Sequence, residues 1–137
     1  MMMNSYQYWL GQSLINDTRE KVSEFIFKAP FYLVSMSIET MPIFNYGNQK
    51  ALDLWELNWE EFTQFSSDKS AEINYQEERN QVLEETTNKG YKTGYSAIRI
   101  SSKGKRYKKE NVTIWNVLNQ KQEYCGKAAI WYKVTFL

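Results

Sequence analysis

The stretch that decides the fold is Ile43-Phe44-Asn45-Tyr46-Gly47-Asn48-Gln49-Lys50-Ala51-Leu52-Asp53-Leu54-Trp55, which predicts a short strand that turns abruptly into a helix. Ile43, Phe44 and Tyr46 are β-branched or aromatic, as is typical of strands. Gly47 can adopt a positive φ at little cost, so the chain can reverse there, and Asn48 can cap the helix that follows. Leu52 and Trp55 recur at helical spacing and give that helix a buried face. A strand that leads into a small helix over an open sheet can enclose a pocket.

Upstream of this stretch, the sequence predicts a central strand preceded by two helices. Phe31 to Ser35 is a nearly continuous apolar run, which is typical of a central strand. The first helix carries an apolar face formed by Tyr6, Trp9, Leu10 and Leu14. Asp17 to Glu20 resembles a capping box that opens a second helix, and Pro30 ends that helix. We therefore expect residues 1–29 to form a helical cover outside the sheet and residues 30–137 to form the main domain.

Downstream of the stretch, the sequence predicts two further helical segments before Gly90, separated by a polar loop at Ser66–Asn74 that carries at most one turn of helix. Asn58-Trp59-Glu60-Glu61 is a second capping box, and we expect the helical turn that it opens to bury Trp59 and Phe62. Tyr75 to Lys89 predicts a longer helix that is rich in Glu, Gln and Arg, with Gly90 as its C-terminal stop.

Beyond this helix, the pattern changes to alternating strands joined by short polar turns. The predicted strands are Tyr95–Ser101, Arg106–Leu118 and Tyr124–Leu137. Hairpin connections make this part of the sheet antiparallel. The predicted fold is therefore α+β, with an antiparallel sheet of about five strands, helices on one face and an N-terminal helical extension.

Composition narrows the class of protein. The 137 residues are enough for one domain, and 42% hydrophobic and 16% aromatic residues are enough to fill its core. A net charge of +1 predicts no strong electrostatic field toward nucleic acid or an acidic membrane. The sequence contains no histidine, which excludes His-based general base catalysis, His-ligated haem and most zinc sites.

The N-terminus and the cysteine content predict a cytoplasmic location. Met1 to Leu10 lacks the basic segment and long apolar run of a signal peptide, and the apolar stretches fall short of the ~20 residues that span a bilayer. Cys125 is the only cysteine, which excludes an internal disulfide and fits a reducing compartment.

The element order is that of PAS-like domains, and a set of sequence pieces carries a narrower match. The pieces are Pro42-Ile43-Phe44-Asn45-Tyr46-Gly47-Asn48, Ala51-Leu52, Trp59-Glu60-Glu61-Phe62-Thr63, Ser70-Ala71-Glu72, Glu78-Arg79, Tyr95-Ser96-Ala97-Ile98-Arg99-Ile100-Ser101, Gly104-Lys105-Arg106-Tyr107, Val112-Thr113-Ile114-Trp115-Asn116 and Gly126-Lys127-Ala128-Ala129. Their order and approximate spacing are kept from Phe31 to Trp131, with weaker similarity at Trp9-Leu10-Gly11. On these residues the chain resembles the MEKHLA domain, a PAS-related family, and the resemblance assigns residues 30–137 to that domain.

The resemblance implies a regulatory role. Members of the family occur as free-standing small proteins of bacteria and algae, and as the C-terminal domain of plant class III homeodomain–leucine zipper transcription factors. In those factors the domain looks like a sensory or dimer-regulating module. This chain has no room for a homeodomain or zipper and resembles the free-standing type. It departs from the family where Ser35-Met36-Ser37 replaces Ser-His-Gly and where Ser66-Ser67-Asp68-Lys69 replaces a Pro-Ser-Arg-Leu-like run, so no role for that His or Arg carries over.

A PAS-like arrangement implies a cavity between the sheet and the helices. The candidate lining residues are Tyr46, Asn48, Trp55, Arg79, Arg99, Trp115, Asn116 and Trp131. Glu72 with Arg79 or Arg99 is a candidate buried ion pair, which would either orient a polar ligand or pin a loop to the sheet. Asn116 shares a strand face with apolar residues and needs hydrogen-bond partners if it is buried, and a ligand is one such partner. Aromatic residues in such numbers are more often part of an ordinary core than of a ligand site.

Other candidate sites favour structural interpretations. Cys125 lies on a predicted strand, whereas a covalently reacting flavin needs a cysteine on a helix beside a phosphate-binding set, so we expect neither that flavin nor haem. The basic run Lys103 to Lys109 predicts a solvated hairpin turn rather than a nucleic-acid contact. No phosphate loop, nucleophile elbow or metal-ligand spacing is present in the sequence.

Three functions stay open at this point. The first is a non-enzymatic sensory module that binds a small molecule between the sheet and the helices. The second is a homodimerisation or protein-interaction module with a filled core, which would use the outer face of the sheet or the helix that carries Trp9. The third, which the sequence favours least, is an enzyme of unknown reaction.

Overall fold

A computed structural model describes residues 1–12, 22–39 and 41–137 of the chain. The helices are α1 (Met2–Leu10), α2 (Val22–Phe27), α3 (Gln49–Trp55), α4 (Trp59–Phe62) and α5 (Gln76–Lys89), with short 3-10 turns at Ser67–Ser70 and Ile73–Tyr75. The strands are β1 (Tyr32–Met36), β2 (Phe44–Gly47), β3 (Tyr91–Ile100), β4 (Arg106–Leu118), β5 (Tyr124–Trp131) and β6 (Lys133–Phe136). The predicted α+β fold is confirmed.

All of these strands form one antiparallel sheet with the order β2-β1-β5-β4-β3. Strand β4 is long enough to hold two partners on the same side: β5 pairs with its C-terminal half and β6 with its N-terminal half. The single strand predicted for Tyr124–Leu137 is therefore interrupted at Tyr132. Asn111 stands opposite Tyr132 in the common register and has a φ of 53°, a left-handed conformation that breaks the ladder at this point.

The predicted turn from strand to helix lies between β2 and α3. Asn48 is fully buried, and its Oδ1 accepts from the backbone N–H of Ala51 at 3.2 Å and of Leu33 at 3.1 Å. Gly47 has no positive φ. Glycine is required there for a different reason, since a Cβ atom would lie 2.6 Å from the ring of Phe62.

Capping at the next two helices follows the sequence pattern. Asn58 Oδ1 accepts from the Glu61 backbone N–H at 2.8 Å, and the Glu61 carboxylate accepts from the Asn58 backbone N–H at 3.0 Å. The prediction that Trp59 is buried is wrong: it is 43% exposed, because a single helical turn presents only Phe62 to the core. Gly90 ends α5 with a φ of 105°, as predicted.

Helices cover both faces of the sheet. The face covered by α3, α4 and α5, here called the α5 face, has a core that includes Val34, Phe44, Leu52, Trp55, Phe62, Val112, Ile114, Ala129 and Trp131. The opposite face, here called the α1 face, has a core of Ile26, Ala29, Phe31, Leu33, Trp115, Val117, Ala128 and Ile130, against which residues of α1 pack. Helix α1 ends at Gly11, which has a φ of 74°. The predicted face residue Leu14 and the predicted capping box Asp17–Glu20 lie outside the described residues, and the domain boundary after residue 29 stays a prediction.

Candidate functional site

A small cavity lies on the α5 face between the sheet and α5. Its volume is about 40 Å³, whereas one water molecule needs at least ~10–15 Å³ of such space, so it has room for about three waters. The polar or aromatic residues that line it include Trp55, Ser67, Arg79, Tyr95, Arg99 and Lys109, here called the cavity residues. The remaining wall is mainly apolar and includes Val34, Val82, Leu83, Ile114 and Ala129.

Arg79 projects from the first half of α5 and is 7% exposed. Its Nη2 donates to Ser67 Oγ at 2.7 Å, and Ser67 belongs to the 3-10 turn that precedes α5. Gln76 holds that turn in place, because its Nε2 donates to the backbone carbonyls of Asp68 and Ala71 at 2.7 and 2.6 Å. Burial lowers the pKa of Arg79, as does the charge of Arg99.

Arg99 reaches the cavity from β3 and is 3% exposed. It pairs with Glu78 of α5, with Nη2 to Oε2 at 2.8 Å and Nη1 to Oε1 at 3.4 Å. Glu72, which the sequence suggested as the partner of Arg79 or Arg99, instead pairs with Arg106 at 2.6 Å. That prediction is wrong because Glu72 precedes α5 and lies beside the hairpin end of β4, whereas Glu78 lies on α5 itself.

Lys109 is the third cation of the cavity and is 8% exposed on β4. Its Nζ lies 4.5 Å from the ring centroid of Trp131 and 5.9 Å from that of Tyr95. Its Nζ makes no hydrogen bond to any residue that the structure describes. Burial, together with the charges of Arg99 and Arg79, holds the pKa of Lys109 well below its usual value.

Three buried aromatic side chains in this region also have a polar atom without a hydrogen-bond partner among the described residues. Trp55 lines the cavity, and its ring centroid lies 6.2 Å from that of Trp131 and 6.1 Å from that of Tyr107. The Nε1 atoms of Trp55 and Trp131 and the Oη atom of Tyr107 are buried without a hydrogen-bond partner in the described part of the chain. Burial raises the pKa of Tyr107 and of Tyr95. The cavity region is therefore rich in hydrogen-bond donors for which the described part of the chain offers no acceptor.

Four of the eight side chains predicted to line the cavity lie at or beside it. Trp55, Arg79 and Arg99 line it directly, and Trp131 contacts both Trp55 and Lys109.

The structure places the other four candidates elsewhere. Tyr46 packs against Trp59, at a centroid distance of 5.8 Å. Asn48 is saturated by backbone partners, because its Nδ2 also donates to the carbonyls of Ile26 and Phe31. Trp115 and Asn116 lie on opposite faces of β4.

Strand alternation decides the position of these two residues. Trp115 points to the α1 face, where its Nε1 donates to the Met2 carbonyl at 3.0 Å. Asn116 points to the α5 face but lies at the C-terminal end of α5, where its Nδ2 donates to the Thr86 and Thr87 carbonyls at 3.1 and 3.3 Å. Its Oδ1 is buried without a partner among the described residues.

Sequence reasoning missed Lys109. The basic run was predicted to be solvated, and Lys103, Lys105 and Lys108 are indeed exposed. Lys109 is buried because side chains alternate along β4, which places it on the same face as the fully buried Tyr107. The period-two pattern was the available signal, and the composition of the run concealed it.

Two further observations concern other kinds of site. Within the described ranges, no helix is long and apolar enough to cross a membrane, and no group of three or more His, Cys, Asp or Glu side chains is arranged to hold a metal ion. Cys125 lies apart from the cavity, at the edge of the α1-face core, and its Sγ donates to the Val117 carbonyl at 3.4 Å.

Comparison with solved structures shows the fold. A PAS domain from Colwellia psychrerythraea is 13% identical, with a TM-score of 0.70 over 88% of this chain and 98% of that one. A light-oxygen-voltage domain studied with a flavin analogue is 9% identical, with a TM-score of 0.65 over 88% and 86% of the two chains. A PAS domain from a two-component sensor histidine kinase is 14% identical, with a TM-score of 0.62 over 83% and 91%.

Comparison of the sequence shows the family. No curated protein matches the chain. Residues 1–136 match the sequence model of the MEKHLA domain, which is nearly the whole of the chain. The protein therefore belongs to the MEKHLA domain family, and its fold is PAS-like.

Proposed function

We propose that the domain is a non-enzymatic sensory or regulatory module that binds a small molecule in the cavity between the sheet and α5. The observation that carries the proposal is the burial of three cations, Arg79, Arg99 and Lys109, around one cavity. Of these three cations, only Arg99 forms an ion pair with a carboxylate of the described residues. Burying a charge costs several kcal/mol unless partners compensate. This arrangement therefore lowers the stability of the fold, and packing alone does not explain it. The PAS-like fold, shared with a domain of a sensor histidine kinase, supports a sensory role.

The cavity is placed to couple binding to the position of α5. Its polar residues come from the turn before α5, from α5 itself and from strands β3 and β4. A ligand that contacts both α5 and the sheet stabilises the α5 positions in which all of those contacts form.

The C-terminal end of α5 is connected to the opposite face. A Cβ atom at Gly90 would lie 2.3 Å from the ring of Trp9 in α1, and Trp9 Nε1 donates to the Asn116 carbonyl at 2.9 Å. A shift of α5 therefore changes the packing of α1, which is the physical route we propose from the cavity to the α1 face.

The cavity volume limits the size of the ligand. Pockets for drug-sized molecules measure about 300–1,000 Å³, whereas this cavity measures about 40 Å³. A flavin or a haem would fit only if several cavity residues moved. The proposed ligand is therefore much smaller than either cofactor.

A matched pair of variants tests whether the ligand occupies this cavity. Ala129→Val fills it from β5, while Ala128→Val makes the same change one residue away on the α1 face. We expect metabolites that raise the melting temperature of the wild-type protein, and bind it in calorimetry, to lose binding to Ala129→Val and keep it with Ala128→Val. Absence of any binding compound, or equal binding to both variants, would contradict the proposal.

Homodimerisation is the second candidate function. Apolar side chains are exposed at the C-terminal end of the sheet, including Tyr132, Phe136 and Leu137. The outer face of the sheet, which is the α1 face, is covered by α1 and is not free for a second copy. Light scattering at high protein concentration tests this candidate, with a dimer expected if the C-terminal patch is an interface and a monomer contradicting it.

A further inference from the structure

The three buried cations create an excess of positive charge that the described residues do not fully neutralise. Glu78 pairs with Arg99 and is itself partly exposed to solvent. Asp68 acts on Arg79 only through its charge at a distance, since the hydrogen bond that Arg79 makes in this region is to Ser67 Oγ. Lys109 has aromatic rings beside it and no carboxylate paired to it among the described residues. An anionic ligand would supply the missing negative charge.

The hydrogen-bonding groups around the cavity also favour an anion, because free donors outnumber free acceptors. An arginine side chain has five N–H donors, and one bond to Ser67 leaves most of those of Arg79 available. The Lys109 ammonium has three N–H donors and makes no hydrogen bond within the described residues. Trp55 lines the cavity, and its indole N–H is buried without a hydrogen-bond partner among the described residues. A ligand that accepts several hydrogen bonds and donates none would satisfy these groups.

The shape of the cavity selects among anions. One water-sized group needs ~10–15 Å³ of such volume. A cavity of about 40 Å³ therefore has room for three or four non-hydrogen atoms. One part of the wall carries the cations, and another part is apolar and includes Val34, Ile114 and Ala129. A carboxylate with a very short apolar tail matches both parts, because its oxygens face donors while its carbon atoms face the aliphatic wall.

We propose that the cavity is a binding site for a small monocarboxylate of the size of formate or acetate, held by Arg79, Arg99 and Lys109. This inference rests on the proposed function and adds the chemical class of the ligand. The carboxylate accepts from the free N–H groups of Arg79 and from the Lys109 ammonium, while Arg99 keeps its pair with Glu78 and contributes its charge. Binding draws β4 and α5 together, because Lys109 and Arg79 lie on these two elements.

Calorimetric titration of the full chain with sodium acetate tests the ligand class. The controls are sodium chloride at the same ionic strength and acetamide, a neutral molecule of almost the same shape. We expect saturable binding of acetate and of formate, and no saturable binding of chloride or acetamide. Isobutyrate should bind more weakly than acetate, since its branched tail exceeds the cavity. Equal binding of acetate and acetamide, or no binding of acetate beyond that of chloride, would overturn the proposal.

A second pair of variants tests the residues. Lys109→Met puts an uncharged, unbranched side chain of similar size in place of the lysine, and Lys108→Met makes the same change at the exposed neighbouring position. We expect acetate affinity to fall at least about tenfold in Lys109→Met and to stay within twofold in Lys108→Met. Unchanged affinity in Lys109→Met would overturn the assignment of this residue.

The two proposals fail differently. If a neutral or cationic compound binds and Ala129→Val abolishes that binding, the cavity is a ligand site and the monocarboxylate inference is wrong. If no compound of any charge binds the wild-type protein, both are wrong.

Discussion

The two faces of the sheet bury similar aromatic side chains but treat their polar atoms differently. On the α1 face, Trp115 donates to the Met2 carbonyl and Trp9 donates to the Asn116 carbonyl, so both indole N–H groups are satisfied. On the α5 face, the indole N–H groups of Trp55 and Trp131 and the hydroxyl of Tyr107 have no described partner. Satisfied polar groups are typical of a face that serves stability, whereas unsatisfied ones around buried cations favour our proposal that the α5 face binds a ligand.

The largest effect is expected where the two faces are joined. Asn48 accepts hydrogen bonds from Leu33 and Ala51 and donates to Ile26 and Phe31 while fully buried. We expect Asn48→Ala to lower the free energy of unfolding by about 3–5 kcal/mol, since it leaves several buried backbone groups unpaired. Urea denaturation gives the value.

Asn58→Ala is the matched control for this prediction, because Asn58 caps α4 at an exposed position. A loss of about 1 kcal/mol is expected there. Equal losses in the two variants would show that Asn48 is an ordinary cap and not a connection between the faces.

A second prediction compares the tryptophans directly. Trp115→Phe and Trp55→Phe remove the same volume from fully buried positions, but only Trp115 loses a hydrogen bond. We expect losses of about 2 kcal/mol for Trp115→Phe and about 1 kcal/mol for Trp55→Phe in chemical denaturation. A larger loss for Trp55→Phe would mean that its N–H is satisfied, and would weaken the contrast between the faces.

Much of this architecture follows from local sequence signals. The cap at Asn48, the capping box at Asn58 and the stop at Gly90 depend on a few neighbouring residues, and each was predicted. Gly47 was correctly placed at the turn for an incorrect reason, because its small size is needed against Phe62, which lies in another element.

The candidate site was harder to predict because it depends on contacts between distant elements. The sequence suggested that Arg79 and Arg99 share the cavity, but nothing local distinguishes Glu78 from Glu72 as the partner of Arg99. The interruption of the last strand depends on the backbone of Asn111 in the strand beside it. Lys109 could have been found from strand alternation, which outweighs the polar composition of its neighbours.

A third prediction concerns stability at the cavity. Lys109 is held below its usual pKa of 10.5 by burial first and by Arg99 and Arg79 next, so its charged form destabilises the folded state. We expect Lys109→Met to raise the free energy of unfolding near neutral pH by about 1–2 kcal/mol, whereas Lys108→Met leaves it almost unchanged.

The size of this effect depends on pH. Below the lowered pKa of folded Lys109, both states are protonated and the penalty is complete. As the pH rises toward 10.5, the folded lysine has already lost its proton and the penalty decreases. The advantage of Lys109→Met should therefore shrink in alkaline solution, and an advantage that grew with pH would contradict this account.

The smallest effect is expected at a buried lysine whose partners are present. Lys127 also faces α5, but its Nζ donates to Thr87 Oγ1 and Tyr124 Oη, both at 2.7 Å. Burial lowers its pKa to about 8. We expect the wild-type protein to gain stability between about pH 8 and the usual lysine pKa of 10.5, because the unfolded chain still binds the proton that folded Lys127 has released.

Lys127→Met isolates this contribution. It should change the free energy of unfolding by less than about 1 kcal/mol at neutral pH, because the substitution removes the cost of burying the charge and the two hydrogen bonds together. It should also flatten the rise in stability above about pH 8. A gain as large as that of Lys109→Met would show that hydrogen-bond partners do not distinguish the two lysines.

We propose above that the buried cations of the α5 face bind a small monocarboxylate. The most direct test is the free energy of unfolding of the wild-type protein and of Lys109→Met, each measured with and without acetate at constant ionic strength. We predict that the variant is the more stable protein without acetate, and that acetate stabilises only the wild-type protein and so narrows the difference. A variant that is less stable than the wild-type protein without acetate, and that responds to acetate equally, would contradict the claim.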